Sequence, residues 1–544
     1  MDSPEGVSLL WPPGRVPGAV ELQPRVTAEQ AADLELDTLV DAVCFDPSDR
    51  RWVSDILLNL CQDPAVIAYR QGVLDSIISA PGIAAGLETL LPKIGRLRQH
   101  HIPREKGELL HEVAWRLGEL EIFLDCVQEM ARVLDSAPGA GLSEGLRLAR
   151  DFVASLLRSE PVQHLTEELP RLISEVRGTR SLTIGVNVDE DLQPSSATLL
   201  SINSQSFDEH SLSFLRRLFG AGKGPWNGIA PLHRVPSRAA NPMLQPLFHD
   251  LSEALSRSLR PVATALERFV GVQTRFLDRW GQELAFYLGA ARLTSRVRAA
   301  GLSLSWPQVA ATGTQGCRVV GCYNIVLALK MAAQGHWSEL SGLVVTNDLS
   351  FAPAEIAILT GPNQGGKTTY MRSVGLAHVM AQAGLPVPGT KASLPVVDAI
   401  CTHFPRTERG DLDSGRFAEE MRRLRDIFAQ ATPRSLVLLN ESLASTSPRE
   451  SLELAREVVG ALQVLGARAI YTTHLYELAS EADAFNTGAA GPGRVSSLVA
   501  RPDLSHRIER GPPAGSSHAR EVAARLGVGY TQLVDLLRGR GIVS

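Results

Sequence analysis

The sequence predicts a multidomain protein. An elongated, mainly α-helical domain with a small β insertion precedes a C-terminal α/β domain built around a phosphate loop. Three observations carry this reading. Apolar residues recur at three- and four-residue spacing through most of residues 36–180, and again from 241 to about 300. Two β-rich segments interrupt that pattern at 181–205. From about residue 317 short apolar runs alternate with helical patterns, and one run leads into G-x-x-x-x-G-K-[ST].

Length and composition bound the answer. At roughly 150 residues per domain, 544 residues suggest three or four domains. The chain is 44% hydrophobic and 21% charged, an ordinary globular composition. No stretch reaches about 18 apolar residues, so no membrane span is expected. The opening MDSPEGVSLLWPPGR has two acids and no basic region before its short apolar run, which argues against a secretion signal. Fifty-four basic and 59 acidic side chains leave a net charge of −5. That balance opposes wholesale coating of a polyanion but permits a local basic patch. Only six basic residues are Lys, and so chain-wide a bias toward Arg reads as genome composition. Six scattered cysteines fit free thiols in a reducing cytoplasm. Only Cys317 and Cys322 are close, and no second Cys/His pair lies nearby to complete a zinc site.

The elements follow in order. Residues 1–35 are Pro-rich and read as an irregular N-terminal segment. Residues 36–316 form the helical domain. Its helical stretches include LDTLVDAVCFD, RWVSDILLNLCQD, PAVIAYRQGVLDSIISA and HEVAWRLGELEIFLDCVQEMARVLDSA. SLTIGVNVDE and SATLLSINSQ predict a hairpin within 181–205, and the glycines of GAGKGPWNG predict a loop at 220–228. Residues 317–544 form the α/β domain, with strands expected at GLVVT, EIAILT, SLVLL and ARAIYTTH. Two short helices around Gly527 and Gly529 close it.

AEIAILTGPNQGGKTTYMRSV is the most informative stretch. A buried strand leads into the loop Gly361, Pro362, Asn363, Gln364, Gly365, Gly366, Lys367, Thr368 and Thr369, and a helix then runs to Ala383 before Gly384. Glycines let backbone N–H groups converge on a β-phosphate, and the helix N-terminus adds partial positive charge. Lys367 neutralises β/γ oxygens and the Thr368 hydroxyl ligates Mg²⁺. ATP with Mg²⁺ is the expected ligand.

RSLVLLNESLASTS is the partner strand, ending in Asn440–Glu441. Glu441 can polarise an attacking water, or be a solvated acid at a strand end. Asn440 is a neutral and therefore poorer partner for hydrated Mg²⁺ than a carboxylate. Ser447, Pro448 and Glu450 form a helix start with a capping box. ARAIYTTHLYEL gives another strand, ending in His474. That His can sense γ-phosphate or order the water, or be a satisfied half-buried side chain.

These residues resemble the MutS family of DNA mismatch-repair ATPases. GPNQGGKTTYMR is similar to the family's GPNMGGKSTYxR, and AQAGLPVPG to its AxxGxxVPA segment. LVLLNESLASTS resembles LxxLDExxxGTS, YTTHLYEL resembles xxTHxxEL, and GPPAGSSHAREVAARLGV resembles the terminal segment. The strong likeness covers about 340–530, and a weaker one covers 36–330, where DPAVIAYRQGVLDSI is similar to the family's helical core. The resemblance implies a core and lever in 36–316, an ATPase with a helical dimerisation segment in 317–544, and a reduced DNA clamp at 181–205. It implies a homodimer through the ATPase domains, double-stranded DNA as partner and no membrane. It places Val344 and Val345 beside the base, with Asn347–Asp348 near the adenine.

Departures are equally specific. The first 35 residues leave no room for the family's N-terminal mismatch reader with its Phe-x-Glu wedge, and no nuclease tail follows the ATPase. Asn440 replaces an Asp and Gln364 a Met. Counting back from Glu420–Met421, Gly415–Arg416–Phe417 stands where the family has Ser-Thr-Phe, which touches the partner's nucleotide. Arg416 is then a candidate trans-acting arginine finger, or a surface Arg at a helix start. Two functions stay open. One is an ATPase that couples ATP binding and hydrolysis to DNA engagement, in mismatch repair or related DNA maintenance. The other is a nucleotide-gated dimer that binds another protein and hydrolyses ATP slowly or not at all. Arg177, Arg180, Arg216, Arg217 and Lys223 favour a DNA track, whereas Asp189, Glu190 and Asp191 oppose it.

Overall fold

The computed structural model describes residues 7–15, 25–101, 109–136, 141–178, 181–191, 194–203, 205, 259–269, 272, 274–310, 316–405, 416–443, 447–489, 491–513, 527–540 and 542. The chain forms two compact units. One comprises Gly86–Ser136 and Arg150–Gly281, and the other Met1–Ala85, Ala137–Ala149 and Gln282–Ser544. Residues 1–85 thus group with the C-terminal segment, not with the rest of the helical region.

In the first unit the apolar periodicity becomes buried stripes. The helix Glu160–Arg177 buries Val162, Leu165, Leu169 and Leu172, spaced at three and four residues. Phe123, Phe152, Phe276 and Trp280 pack edge to face nearby. Buried Glu119 and Thr274 are satisfied inside this unit: the Thr274 hydroxyl donates to Glu119 at 2.7 Å, and half-buried His101 lies 2.8 Å from Thr274 and 2.6 Å from Asp278. Strands β1 (Ser181–Val188) and β2 (Pro194–Asn203) pair antiparallel, forming the expected hairpin. The 220–228 loop lies outside the described residues, as does part of the 241–300 helical stretch. The described parts of that stretch form the helices Arg260–Glu267 and Phe276–Ala299.

The second unit holds the remaining strands. In chain order these are β3 (Leu304–Ser305), β4 (Pro307–Ala310), β5 (Cys317–Cys322), β6 (Asn347–Phe351), β7 (Glu355–Thr360), β8 (Val387–Pro388), β9 (Lys391–Pro395), β10 (Ile400–His403), β11 (Leu436–Asn440), β12 (Arg468–Thr472), β13 (Arg494–Ala500) and β14 (Ile508–Arg510). A six-stranded sheet runs β10-β11-β12-β7-β13-β14, parallel except for β14. A four-stranded sheet runs β4-β9-β5-β6, and β3 pairs with β8. Every residue of β7, β11 and β12 is buried. This explains why EIAILT, LVLLN and RAIYT are near-continuous apolar runs without alternation: parallel strands are covered on both faces.

Two expectations are corrected. GLVVT is not a strand: Leu340–Leu343 is a short helix, residues 344–346 are irregular, and β6 begins at Asn347. Its apolar residues serve a cavity wall, which periodicity cannot distinguish from a strand. Residues 1–35 are not wholly irregular. Ala28–Asp33 is a helix closed by a Thr27–Gln30 capping box. Residues 8–11 are anchored as well. Ser8 Oγ and the Leu9 amide donate to Glu283 at 2.5 and 2.7 Å, Tyr287 donates to the Leu9 carbonyl at 2.7 Å, and Arg70 lies over the Trp11 ring. Among the described residues no single helix is long and apolar enough to cross a membrane.

Candidate functional site

The carboxyl ends of β7, β11 and β12 meet at one edge of the sheet. Ligand sites of open α/β sheets lie at that edge. β7 feeds the loop 361–366, and the helix Lys367–Ala383 starts from Gly366 and ends at Gly384, both left-handed. The loop's shape requires its glycines. Gly361 has φ of 139°, and a Cβ there would meet Ala500 at 2.6 Å. Gly366 has φ of 88°. Gln364 takes φ of 63° without being Gly, a costlier conformation.

Lys367 is buried and turns back over the loop. Its Nζ donates to the carbonyls of Gly361 and Pro362 at 3.0 and 3.1 Å and lies 3.9 Å from Glu441 Oε1. Burial lowers its pKa, and the Glu441 charge partly opposes that. Thr368 Oγ1 donates to Asn440 Oδ1 at 3.2 Å, and Thr472 Oγ1 donates to the same oxygen at 2.7 Å. Asn440 therefore accepts here as an Asp would, without the charge. The oxygen donors of Thr368 and Asn440 suit a hard divalent cation such as Mg²⁺. Among the described residues there is no cluster of three or more His, Cys, Asp or Glu side chains able to hold a metal.

Glu441 is the first residue beyond β11, and its backbone is strained. Glu441 and Leu443 have φ of 48° and 71°. Three contacts fix this turn. Ser442 Oγ lies 2.7 Å from His403 Nδ1, the Ser442 carbonyl accepts from Tyr471, and Ser451 donates to the Leu443 carbonyl. The Glu441 carboxylate lies 2.9 Å from His474 Nε2. The hydrogen bond from His474 leads the causes that hold the Glu441 pKa below its usual value; burial opposes it, and the His474 and Lys367 charges assist. The expected strand ending in His474 stops at Thr472, so His474 sits two residues beyond the sheet edge.

A cavity of about 330 Å³ joins these groups. Asn363 through Thr369 line it, together with Glu441, Val344 and Val345. Gly361 and Pro362 form the loop base, while Asn440 and His474 stand behind Thr368 and Glu441. Arg416 begins the helix Arg416–Gln430, but its side chain lies outside the described residues. Asn347 lines the cavity with its amide already engaged: Nδ2 donates to the His506 carbonyl and Oδ1 accepts from the Ile508 amide. Three features escaped sequence reasoning. His506 lines the cavity from the β13–β14 turn, Tyr323 and Asn324 line it from the start of the helix Ile325–Ala333, and Thr472 locks Asn440. The one local signal for His506 was a polar turn, RPDLSH, between two strands.

In the first unit, Arg177 makes two hydrogen bonds to Glu121, at 3.0 and 2.6 Å. Arg180, Arg216, Arg217 and Lys223 lie outside the described residues.

Comparison with known proteins gives matches to both ends of this architecture. A family model described as MutS domain V matches residues 357–530, and one described as the MutS2 N-terminal domain matches residues 62–300. A DNA mismatch repair protein MutS from Shouchella clausii is 39% identical over 150 residues, covering 27% of this chain and 17% of that protein. An Endonuclease MutS2 from Thermomicrobium roseum is 41% identical over 176 residues, covering 32% and 22%. A DNA mismatch repair protein MutS from Granulibacter bethesdensis is 26% identical over 504 residues, covering 83% of this chain and 51% of that protein. The chain spans about half or less of the length of these relatives.

Proposed function

We propose that this chain, similar to MutS and MutS2 proteins over most of its length, is a DNA-binding ATPase that couples ATP binding and hydrolysis to DNA engagement. The convergence of Lys367, Thr368 and the strained Glu441 on one cavity carries this reading. Lys367 exchanges its two loop carbonyls for β/γ-phosphate oxygens. Glu441, kept ionised by His474, accepts the proton of the attacking water. His474 is a positioning residue in this scheme, since it acts through Glu441, 2.9 Å from its Nε2. Bound Mg²⁺, held by Thr368 and Asn440, would neutralise charge between the phosphates. Val344 and Val345 flank the base. A homodimer through the ATPase domains, with Arg416 reaching the partner's nucleotide, completes the proposal. The setting is cytoplasmic and related to DNA maintenance. Relatives are named as mismatch repair proteins, and direct mismatch reading by this chain is not proposed.

Asn440 favours a second reading. A neutral amide at the cation subsite suits a nucleotide-gated dimer that docks another protein and turns ATP over slowly. Fluorescence anisotropy with labelled duplex DNA separates the two. The first reading predicts ATP-dependent binding whose affinity falls steeply between 50 and 200 mM salt, the mark of about six or more phosphate contacts. Absence of a DNA signal at low salt, with ATP bound, would leave only the second.

A further inference from the structure

Two helices contribute walls to the cavity. One is the phosphate-loop helix Lys367–Ala383, and the other is Ile325–Ala333, which supplies Leu327 and Met331. The spacing of the two sets the width open to a ligand. Asn324 ties them at one end, accepting from the Leu327 amide at 2.9 Å and donating to the Thr369 carbonyl at 3.3 Å. The tie at the other end comes from a distant part of the chain. Glu35 Oε2 accepts at 2.5 Å from Nζ of Lys330, in the last turn of Ile325–Ala333. Glu35 Oε1 accepts at 2.8 Å from Nη1 of Arg372, on the phosphate-loop helix. One carboxylate thus bridges both walls from outside the cavity.

Glu35 holds this place in a strained backbone. Its φ is 57°, in the left-handed region that favours glycine. It is the N-cap of the helix Leu36–Val43, yet its side chain makes no capping hydrogen bond. The helix dipole favours an acid there but does not call for a left-handed backbone. Strain of this kind persists only where the surroundings over-determine it. Here they do. Arg372 Nε donates to the Asp33 carbonyl at 2.8 Å, and Thr402 donates to the Asp33 carboxylate at 2.6 Å. Leu34 is fully buried against Gly375 of the phosphate-loop helix, where a Cβ would come within 2.7 Å of it. Glu441, with φ of 48°, is aimed by the same device.

We propose that Glu35 is a positioning residue for the nucleotide site: its carboxylate holds the two cavity helices at the spacing a bound nucleotide needs. It acts through Lys330 and Arg372, not by contact with the ligand. Walls fixed in advance spare the ligand the work of ordering them. The inference rests on the nucleotide-binding reading above. It is tested by titrating the full chain with a fluorescent ATP analogue and Mg²⁺, beside denaturant unfolding of each variant. Glu35→Gly removes the carboxylate and relieves the backbone, since glycine adopts positive φ freely. It should weaken affinity for the analogue by about three- to tenfold, the scale of two partly exposed ion pairs, with an unfolding midpoint at or above that of the wild type. Glu35→Gln keeps the side chain's shape and should lose affinity likewise. Lys330→Met should reproduce much of that loss, and the two changes together should weaken binding no more than Glu35→Gln alone. Unchanged affinity in Glu35→Gly and Glu35→Gln overturns the proposal. A midpoint that falls together with affinity in both also overturns it, marking Glu35 as a brace of the fold alone. If the wild-type chain does not bind the analogue, the nucleotide-binding reading itself fails and this inference falls with it.

Discussion

The turn at Glu441 concentrates the chemistry of the site in a few contacts. A non-glycine residue with φ of 48° costs about 1–3 kcal/mol, and it persists only where surroundings over-determine it. His403, Tyr471 and Ser451 do that from three separate elements. The strain points the carboxylate between Lys367 and His474. The pH dependence follows with a definite sign. The His474 hydrogen bond lowers the Glu441 pKa, so if Glu441 is the base of the proposed reaction the acid limb of turnover should lie below the ordinary carboxylate range, with activity lost as pH falls through it. His474→Ala removes the leading cause of that shift. The acid limb of the pH–rate profile should therefore move to higher pH; an unmoved limb with lowered turnover would show that His474 does not act through Glu441. Lys367, Thr368 and Glu441 were legible because a glycine loop and a strand-end acid have few other uses at that spacing. Thr472 and His506 were not, because their roles depend on which strands lie side by side.

At the scale of elements, close approach of backbones decides what the sequence must be. Gly289 lies in the helix Phe276–Ala299, and a Cβ there would come within 1.7 Å of the Val43 carbonyl. That contact lets the helix pack directly against the end of Leu36–Val43. Gly289→Ala should lower stability by about 3 kcal/mol or more, as forced overpacking against main chain does, measured by denaturant unfolding at unchanged slope. An effect near zero would mean that the two helices can separate freely. The helices around Gly289 were read correctly by periodicity, yet nothing local marks this glycine as a contact. The same limit explains GLVVT, where an apolar run lines a cavity, and residues 8–11, where a short segment is buried against distant helices. The hairpin β1–β2 was legible from two β-rich segments with a polar stretch between them. Its only charges among residues 181–205 are the acids Asp189, Glu190 and Asp191, so it contributes no cationic side chain to neutralise phosphate.

At the scale of the whole molecule, the proposed function joins nucleotide to DNA through a dimer. The likeness to MutS proteins was legible from contiguous loop motifs, which keep their spacing in sequence. The compact grouping of residues 1–85 with 282–544 was not, because contacts between distant segments leave no periodic trace. Arg416 belongs to this scale, since its proposed target is on a second copy. Arg416→Ala should reduce ATP-dependent dimerisation and cut turnover by about 10³-fold, as loss of an arginine finger does. Sedimentation velocity with and without ATP, beside turnover, checks both effects. Unchanged values in both would make Arg416 an ordinary helix-start residue. The most direct measurement is steady-state ATP turnover by wild type and Glu441→Gln, each with and without duplex DNA. The account predicts DNA-stimulated turnover in the wild type and its loss in Glu441→Gln, by at least about 10²-fold, with ATP still bound. Tight ATP binding by the wild type with no turnover and no response to DNA would contradict it.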